Sequence, residues 1–208
     1  MKKNVAIVLI SIFAALILGT CSNMPKVDRV SADTRIDLSG YWNDTDVRLV
    51  CESLINDCLA SPRVAQFVQQ YTSQHGGMMP ACLVGTFKNE SSEHIDTSII
   101  SIIMESTIVN SGKLDFVAGG DTRSEIREER QDQQSNASEA TASALGYETG
   151  AALLLTGTVR SIVDRAGNIT VRSYFVNAEM TSIETNTRLW MGANNEIKKT
   201  IRQPNARM

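Results

Sequence analysis

Apolar residues recur at helical spacing from residue 44 onward, and this spacing predicts two consecutive helices at the start of the folded domain. The run NDTD (43–46) consists of residue types that cap helices, and VRLVCESLINDCL follows it with apolar residues three to four positions apart. We predict a first helix over 44–59. Pro62 opens a second helical pattern over 63–74, which ends at the pair Gly76-Gly77.

Short apolar runs alternate with helical patterns in the middle of the chain. The run ACLVGTFKN (81–89) is typical of a buried strand, the isoleucine-rich segment 98–109 of a helix, and KLDFVA (113–118) of a second strand. Two further helices are predicted, a highly charged one over 121–134 and an alanine-rich one over 136–145. A strand, a helix and another strand in that order imply a crossover connection.

Apolar and polar residues alternate with a period of two in the last third of the chain. The segments 151–163, 169–181 and 186–193 have this alternation, which predicts three antiparallel strands. The segment from 198 to 208 is basic and has no pattern, so we expect a frayed tail. The order of elements predicts an α/β fold with a mixed sheet of about four to five strands, formed by a domain over 38–197.

The first twenty residues have the features of an export signal. Lys2 and Lys3 precede an uncharged, mainly apolar run over 4–20, which ends in LGTC. This ending resembles a bacterial lipobox, in which the cysteine becomes the lipidated N-terminus, so we expect 1–20 to be a signal peptide and Cys21 the lipid-bearing residue. Ser22, where inner-membrane lipoproteins commonly have Asp, favours the outer membrane. The alternative is an uncleaved N-terminal helix with a chance cysteine.

The composition excludes several classes of function. The formal net charge is −3, whereas a nucleic-acid-binding protein needs a concentrated basic face. The chain has two histidines, His75 and His94, and neither lies in a nucleophile motif. Phosphate-binding glycine loops are absent from the sequence as well. We therefore expect no enzyme activity, no cofactor, no nucleic-acid partner and no small-molecule substrate.

The remaining cysteines are predicted to be packed core thiols. Cys51 and Cys58 lie on one stripe of the first helix, where a separation of seven residues puts their Cα atoms about 10 Å apart, too far for a disulfide. Cys82 lies in the first strand. A zinc site that combines these cysteines with His75 or His94 is the alternative, but no paired Cys-x-x-Cys spacing supports it.

Several segments resemble the LpoB-like lipoproteins, which activate penicillin-binding proteins. The resemblance rests on DLSGYWNDTDVRLVCESLINDCL (37–59), FKNESSEHID (87–96), LDFV (114–117) and LLLTGTV (153–159), and it runs from about residue 37 to 190. It implies a domain similar to the N-terminal domain of TolB, with helices on both faces of the sheet. It also implies a non-enzymatic protein that binds a class A penicillin-binding protein from the outer membrane, facing the periplasm. The predicted tether over 21–37 is short for this family.

Two charged segments are the candidate partner-binding surfaces. The first is the loop after the first strand, with Lys88, Asn89, Glu90 and Glu93. The second is the charged helix, with Arg123, Arg127 and Arg130. The alternatives are a loop that only caps the next helix and a helix face that is only solvated. At the level of function, the alternative is a structural lipoprotein of an envelope assembly or secretion pore with a similar α/β core.

Overall fold

A computed structural model describes residues 27–32 and 34–203. The chain divides into two compact units, Met1–Thr34 and Arg35–Met208. In the described part of the first unit, the Thr34 N–H donates to the Ser31 carbonyl across 3.0 Å. The predicted signal peptide, Cys21 and the tether up to residue 26 lie outside the described residues.

The second unit contains four helices and six strands among the described residues. Most of the predicted elements are confirmed, with ends displaced by one to three residues. In chain order they are α1 (Asp44–Ala60), α2 (Pro62–Gln74), β1 (Ala81–Asn89), α3 (Ser98–Ser111), β2 (Asp115–Phe116), α4 (Gly120–Asn136), β3 (Leu153–Ala166), β4 (Ile169–Ser182), β5 (Arg188–Asn194) and β6 (Lys198–Arg202).

Local sequence signals explain where the helices begin and end. At the start of α1 the Asn43 side chain accepts from the Asp46 N–H and the Asp46 carboxylate accepts from the Asn43 N–H, at 3.1 and 3.0 Å. This reciprocal capping satisfies two donors that the first turn leaves unpaired. Helix α2 carries Pro62 at its first position, where a missing N–H removes no helical bond. Gly112 ends α3 with a φ of 61°, a left-handed conformation that favours glycine.

The six strands form one mixed sheet, in which five follow the order β2-β1-β3-β4-β5 and β6 pairs with β4. Strand β1 runs parallel to both β2 and β3, because helical crossovers separate these strands along the chain. Strands β3, β4 and β5 form the antiparallel meander that the period-two alternation predicts. The predicted mixed α/β sheet is confirmed, with one or two strands more than expected.

The additional strand is β6, so the prediction of a frayed tail was wrong for 198–202. β4 is a long strand that pairs with β5 over its second half, and β6 pairs with its first half, from Ile169 to Ser173. A basic segment can form a strand here because Lys199, at an inward position, meets two carboxylates. Ile201 packs against Gly40, where an added Cβ would lie 1.9 Å from the Ile201 side chain.

Three helices cover one face of the sheet. Helix α1 contacts both α2 and α3, and the three helices enclose the core with the inward side chains of β1, β3 and β4, among them Cys82, Leu155 and Met180. On the other face Leu83, Thr156 and other side chains of the same strands stay half-exposed. Helix α4 packs on none of the strands and has no buried residue. Helices on both faces are therefore not found in the described part of the chain.

The predicted alanine-rich helix over 136–145 is also wrong. Helix α4 ends at Asn136, and turns follow it. The side chains at the end of α4 explain the reversal, since Gln133 accepts from the Ser143 N–H at 2.9 Å and Gln134 donates to the Ser143 carbonyl at 2.8 Å. These bonds fold the segment back on the helix end.

Candidate functional site

The loop between β1 and α3 is organised by Asn89. Its amide nitrogen donates to the carbonyl of Glu93 at 2.7 Å and to that of Ile95 at 3.4 Å. Its amide oxygen accepts from the N–H and the hydroxyl of Ser91, at 3.0 and 2.6 Å. Asn89, one of the predicted partner-binding residues, therefore uses its polar atoms to shape the loop.

Strand β3 holds the outer part of this loop. The Arg160 guanidinium donates to the Glu90 carboxylate at 2.7 Å, and both side chains are about half exposed. The Ser92 N–H donates to the Ser161 hydroxyl at 3.3 Å. An exposed ion pair of this kind contributes little stability, so Glu90 can exchange Arg160 for a partner. Lys88, at the exposed end of β1, is also placed on the surface.

Glu93 lies beneath the loop and not on its surface. Its side chain is 6% exposed, and its carboxylate pairs with the Arg172 guanidinium of β4. The same carboxylate accepts from the Tyr174 hydroxyl at 2.8 and 2.9 Å and from the Trp42 N–H at 3.3 Å. The structure thus gives Glu93 an internal role, as the point where three distant segments meet.

Glu93 shifts the pKa values of both Arg172 and Tyr174 upward. Burial by itself lowers the pKa of the Arg172 guanidinium, but the hydrogen bond and the charge of Glu93 outweigh burial and raise it. Burial and the hydrogen bond to Glu93 raise the pKa of the Tyr174 hydroxyl above its ordinary value. Arg172 is therefore charged and the Tyr174 hydroxyl is a donor at neutral pH.

A second ion cluster fixes the segment that precedes α1. The Lys199 ammonium contacts the carboxylates of Asp46 at 2.6 Å and Asp37 at 2.9 Å, and it donates to the Tyr41 carbonyl at 2.9 Å. Burial by itself lowers the pKa of Lys199, but the hydrogen bonds to the two carboxylates outweigh it and raise the pKa. The Gly40 carbonyl also lies 3.3 Å from the Tyr174 hydroxyl, so the cluster around Lys199 and the cluster around Glu93 both contact this segment.

The three arginines of α4 form a separate group around Glu148. Arg127 binds its carboxylate through two nitrogens at 2.8 and 2.9 Å, and Arg130 approaches it to 3.3 Å. Arg123 donates to the Ala118 carbonyl at 2.8 Å. The hydrogen bond from Arg127 lowers the pKa of the Glu148 carboxyl. These arginines thus already bind groups of their own chain.

The predicted partner-binding residues therefore lie in two places. In the sheet register Cys82 pairs with Phe116, close to the start of α4, whereas Lys88 lies six residues further along β1. At about 3.3 Å per residue this separation is about 20 Å. Sequence reasoning did not identify Arg172 and Tyr174 as partners of Glu93. The available signal was a charged residue, Arg172, at an inward position of an alternating strand.

The described residues form no metal centre. Within 27–32 and 34–203 no group of His, Cys, Asp and Glu side chains is arranged to hold a metal ion. Cys51, Cys58 and Cys82 are free and buried, and burial raises the pKa of each thiol to about 12. Over the same described ranges, no helix has the length and apolar composition needed to cross a bilayer.

Comparison with known proteins identifies one family. The family model described as the peptidoglycan-synthase activator LpoB matches residues 46–196. The LpoB C-terminal domain from Escherichia coli is 14% identical with a TM-score of 0.35, and the match covers 65% of this chain and 96% of that one. For the corresponding domain from Salmonella enterica the values are 15%, 0.33, 67% and 95%. For the lipoprotein GNA1162 from Neisseria meningitidis they are 19%, 0.35, 61% and 88%. No curated protein sequence matches the chain.

Proposed function

The chain belongs to the LpoB family of peptidoglycan-synthase activators, and from this premise we propose that it is a non-enzymatic envelope lipoprotein that binds a class A penicillin-binding protein and raises its rate of peptidoglycan synthesis. The family match over 46–196 is the observation that carries the proposal. This range includes the loop after β1, helix α4 and the buried Glu93–Arg172 pair.

A single partner could contact both charged surfaces, the Lys88 end of β1 and the arginines of α4. A standard protein interface buries about 800 Å² on each side, which corresponds to a patch about 30 Å across. The separation of about 20 Å along β1, from Cys82 near the start of α4 to Lys88, is smaller than that. Arg127 and Arg130 must leave Glu148 before they can bind a partner carboxylate. Lys88, at the exposed end of β1, needs no such exchange. We therefore expect the Lys88 end to contribute more to binding.

The direct test is the rate of glycan-strand polymerisation by a purified class A synthase, with and without the full chain in a neutral detergent. We expect the chain to raise the rate. Lys88→Glu is expected to lower the association rate by about threefold to tenfold at low salt, because rim charges act mainly on encounter. Lys113→Glu makes the same charge change at another exposed lysine and should have no effect.

Two results would contradict this proposal. One is an unchanged polymerisation rate together with the absence of a complex on a synthase-loaded matrix. The other is a full chain that forms a large, stable homo-oligomer and does not affect the synthase, which would favour the envelope-assembly role. If Lys113→Glu weakened binding as much as Lys88→Glu, the proposed place of contact would be wrong while the activator role would stand.

We further propose that Cys21 carries the lipid and that the anchor is in the outer membrane, with the domain facing the periplasm. The lipobox-like ending LGTC and the residue Ser22 support this part of the proposal. Intact-mass measurement of the membrane-extracted protein is expected to give a chain that begins at Cys21 and carries acyl groups. Cys21→Ala should keep residues 1–20 and carry no lipid. A wild-type chain that keeps those residues unmodified would exclude the anchor.

A further inference from the structure

Two buried side-chain N–H groups in the described domain have no hydrogen-bond acceptor. They are the indole N–H of Trp42 and the Nε–H of Arg172. Buried N–H groups in folded proteins are almost always paired, because an unpaired one loses its bonds to water and gains none in return. Arg172 uses another nitrogen for Glu93, and Trp42 uses its backbone N–H for the same carboxylate. The acceptors that would pair the two remaining donors must therefore come from outside these contacts.

Both residues line the same open cavity. It has a volume of about 690 Å³ and lies between the segment before α1, the loop after β1 and the hairpin of β3 and β4. Tyr41, His94, Val163 and Arg165 contribute further walls. The Tyr41 ring lies 4.0 Å from the guanidinium carbon of Arg172 and is half exposed, so it covers the buried guanidinium on the solvent side. A volume of this size accommodates a small organic molecule.

The charges around the cavity favour an anion. The positive charge of Arg172 is balanced by Glu93, whose carboxylate already accepts from three donors. Arg165, an exposed residue of β3, adds a second guanidinium to the lining. A ligand that brings acceptors and one negative charge would pair with Arg165 and with the two unpaired N–H groups, since a hydrogen bond to a charged acceptor is stronger than one to a neutral acceptor. Tyr41 and Val163 provide apolar surface for the rest of the molecule.

We propose that this cavity binds a small molecule that carries a carboxylate. The carboxylate lies against Arg165 and displaces the Tyr41 ring far enough to accept from Trp42 and Arg172. The source of the carboxylate rests on the proposed function: a protein that acts on a peptidoglycan synthase works beside wall sugars, and N-acetylmuramic acid is the wall sugar that bears a carboxylate. This carboxylate is free where no peptide stem is attached to the sugar. N-acetylglucosamine has the same ring without that group and is therefore the matched neutral ligand.

Nuclear magnetic resonance of the full chain in a neutral detergent tests this directly. The chain has two tryptophans, so two indole N–H signals report the binding site and an internal control. The signal of Trp42 is expected to shift during titration with N-acetylmuramic acid and to stay in place with N-acetylglucosamine. The signal of Trp190, whose indole N–H donates to Asp57 at 2.8 Å, should not move with either sugar.

Three variants separate recognition from folding, with the backbone N–H signals of the loop after β1 as the measure of affinity. Trp42→Phe keeps a ring and removes the unpaired donor, and Arg165→Ala removes the exposed charge. Each is expected to weaken binding of N-acetylmuramic acid by about tenfold. Trp42→Phe also loses part of the packing against the Tyr174 ring and should lower the melting temperature somewhat, whereas Arg165→Ala, at an exposed position, should leave it unchanged. Arg63→Ala, which removes an exposed guanidinium of α2 that does not line the cavity, should leave the affinity unchanged.

The possible outcomes distinguish this proposal from the proposed function. If neither N-acetylmuramic acid nor acetate shifts the Trp42 signal, the donors are hydrated and the proposal is wrong. Equal shifts with both sugars would overturn carboxylate recognition. Binding of acetate without N-acetylmuramic acid would uphold the carboxylate site and overturn the wall sugar as its source. A chain that binds N-acetylmuramic acid and yet leaves the synthase unaffected would overturn the proposed function and uphold the site.

Discussion

Replacing Glu93 by alanine is expected to lower the free energy of unfolding by about 3–5 kcal/mol. The side chains of Glu93 and Arg172 are 6% and 8% exposed, so the variant leaves a guanidinium buried without its counter-ion. It also removes the acceptor for the Tyr174 hydroxyl and the Trp42 N–H. Urea unfolding followed by far-ultraviolet circular dichroism measures the change.

Glu90→Ala is the matched control for this variant. Glu90 lies three residues earlier in the same loop and pairs with Arg160, but their side chains are 43% and 56% exposed. Water replaces the lost partner there, so the loss is expected to be below about 1 kcal/mol. If Glu90→Ala and Glu93→Ala destabilised the domain equally, the buried pair would not be the main determinant of stability in this loop.

Replacing Lys199 by methionine is expected to lower the free energy of unfolding by about 3 kcal/mol. Methionine keeps most of the apolar stem of lysine, but Asp46, whose side chain is 6% exposed, loses its cation. The Tyr41 carbonyl loses its donor as well. Lys198→Met changes the neighbouring lysine, which points to solvent on β6, and should change the stability by less than about 0.5 kcal/mol.

The pH dependence of this effect has a defined sign. The pKa of Lys199 is raised in the folded state above its ordinary value of 10.5. Its stabilising contribution is therefore fully present below about pH 10.5 and is lost as the pH rises through the folded pKa. The difference between wild type and Lys199→Met should thus be constant near neutral pH and should narrow in strong alkali. A difference that grew with alkaline pH would contradict the assigned ion cluster.

Local patterns predict most of the fold because most of its elements bury one face with a regular period. The alternation in β4 places Tyr174, Val176 and Met180 inward, as the structure confirms. The capping run before α1 likewise marks a helix start that depends on neighbouring residues alone. The alanine-rich segment after Asn136 has helix propensity but no apolar stripe to bury, and propensity alone rarely holds a helix in a protein.

Local patterns do not predict the features that depend on a charged partner far away in the sequence. The sequence of β6 alone predicts a solvated basic tail. In the structure Lys199 pairs with Asp37 and Asp46, which lie more than 150 residues earlier in the chain. The polar sequence around Glu93 predicts a surface residue, but in the structure its side chain is buried against Arg172. In both cases a charged side chain is buried only because its partner lies at the same place in the folded chain, and nothing in the local sequence specifies that partner.

The contact between Lys199 and Asp37 also determines where the two ends of the domain lie. Because their charged groups are 2.9 Å apart, the chain enters and leaves the domain at neighbouring points. Domains with adjacent ends can be inserted into other proteins or circularly permuted with little distortion. A fluorescent reporter fused after Arg202 would accordingly be next to the entry segment.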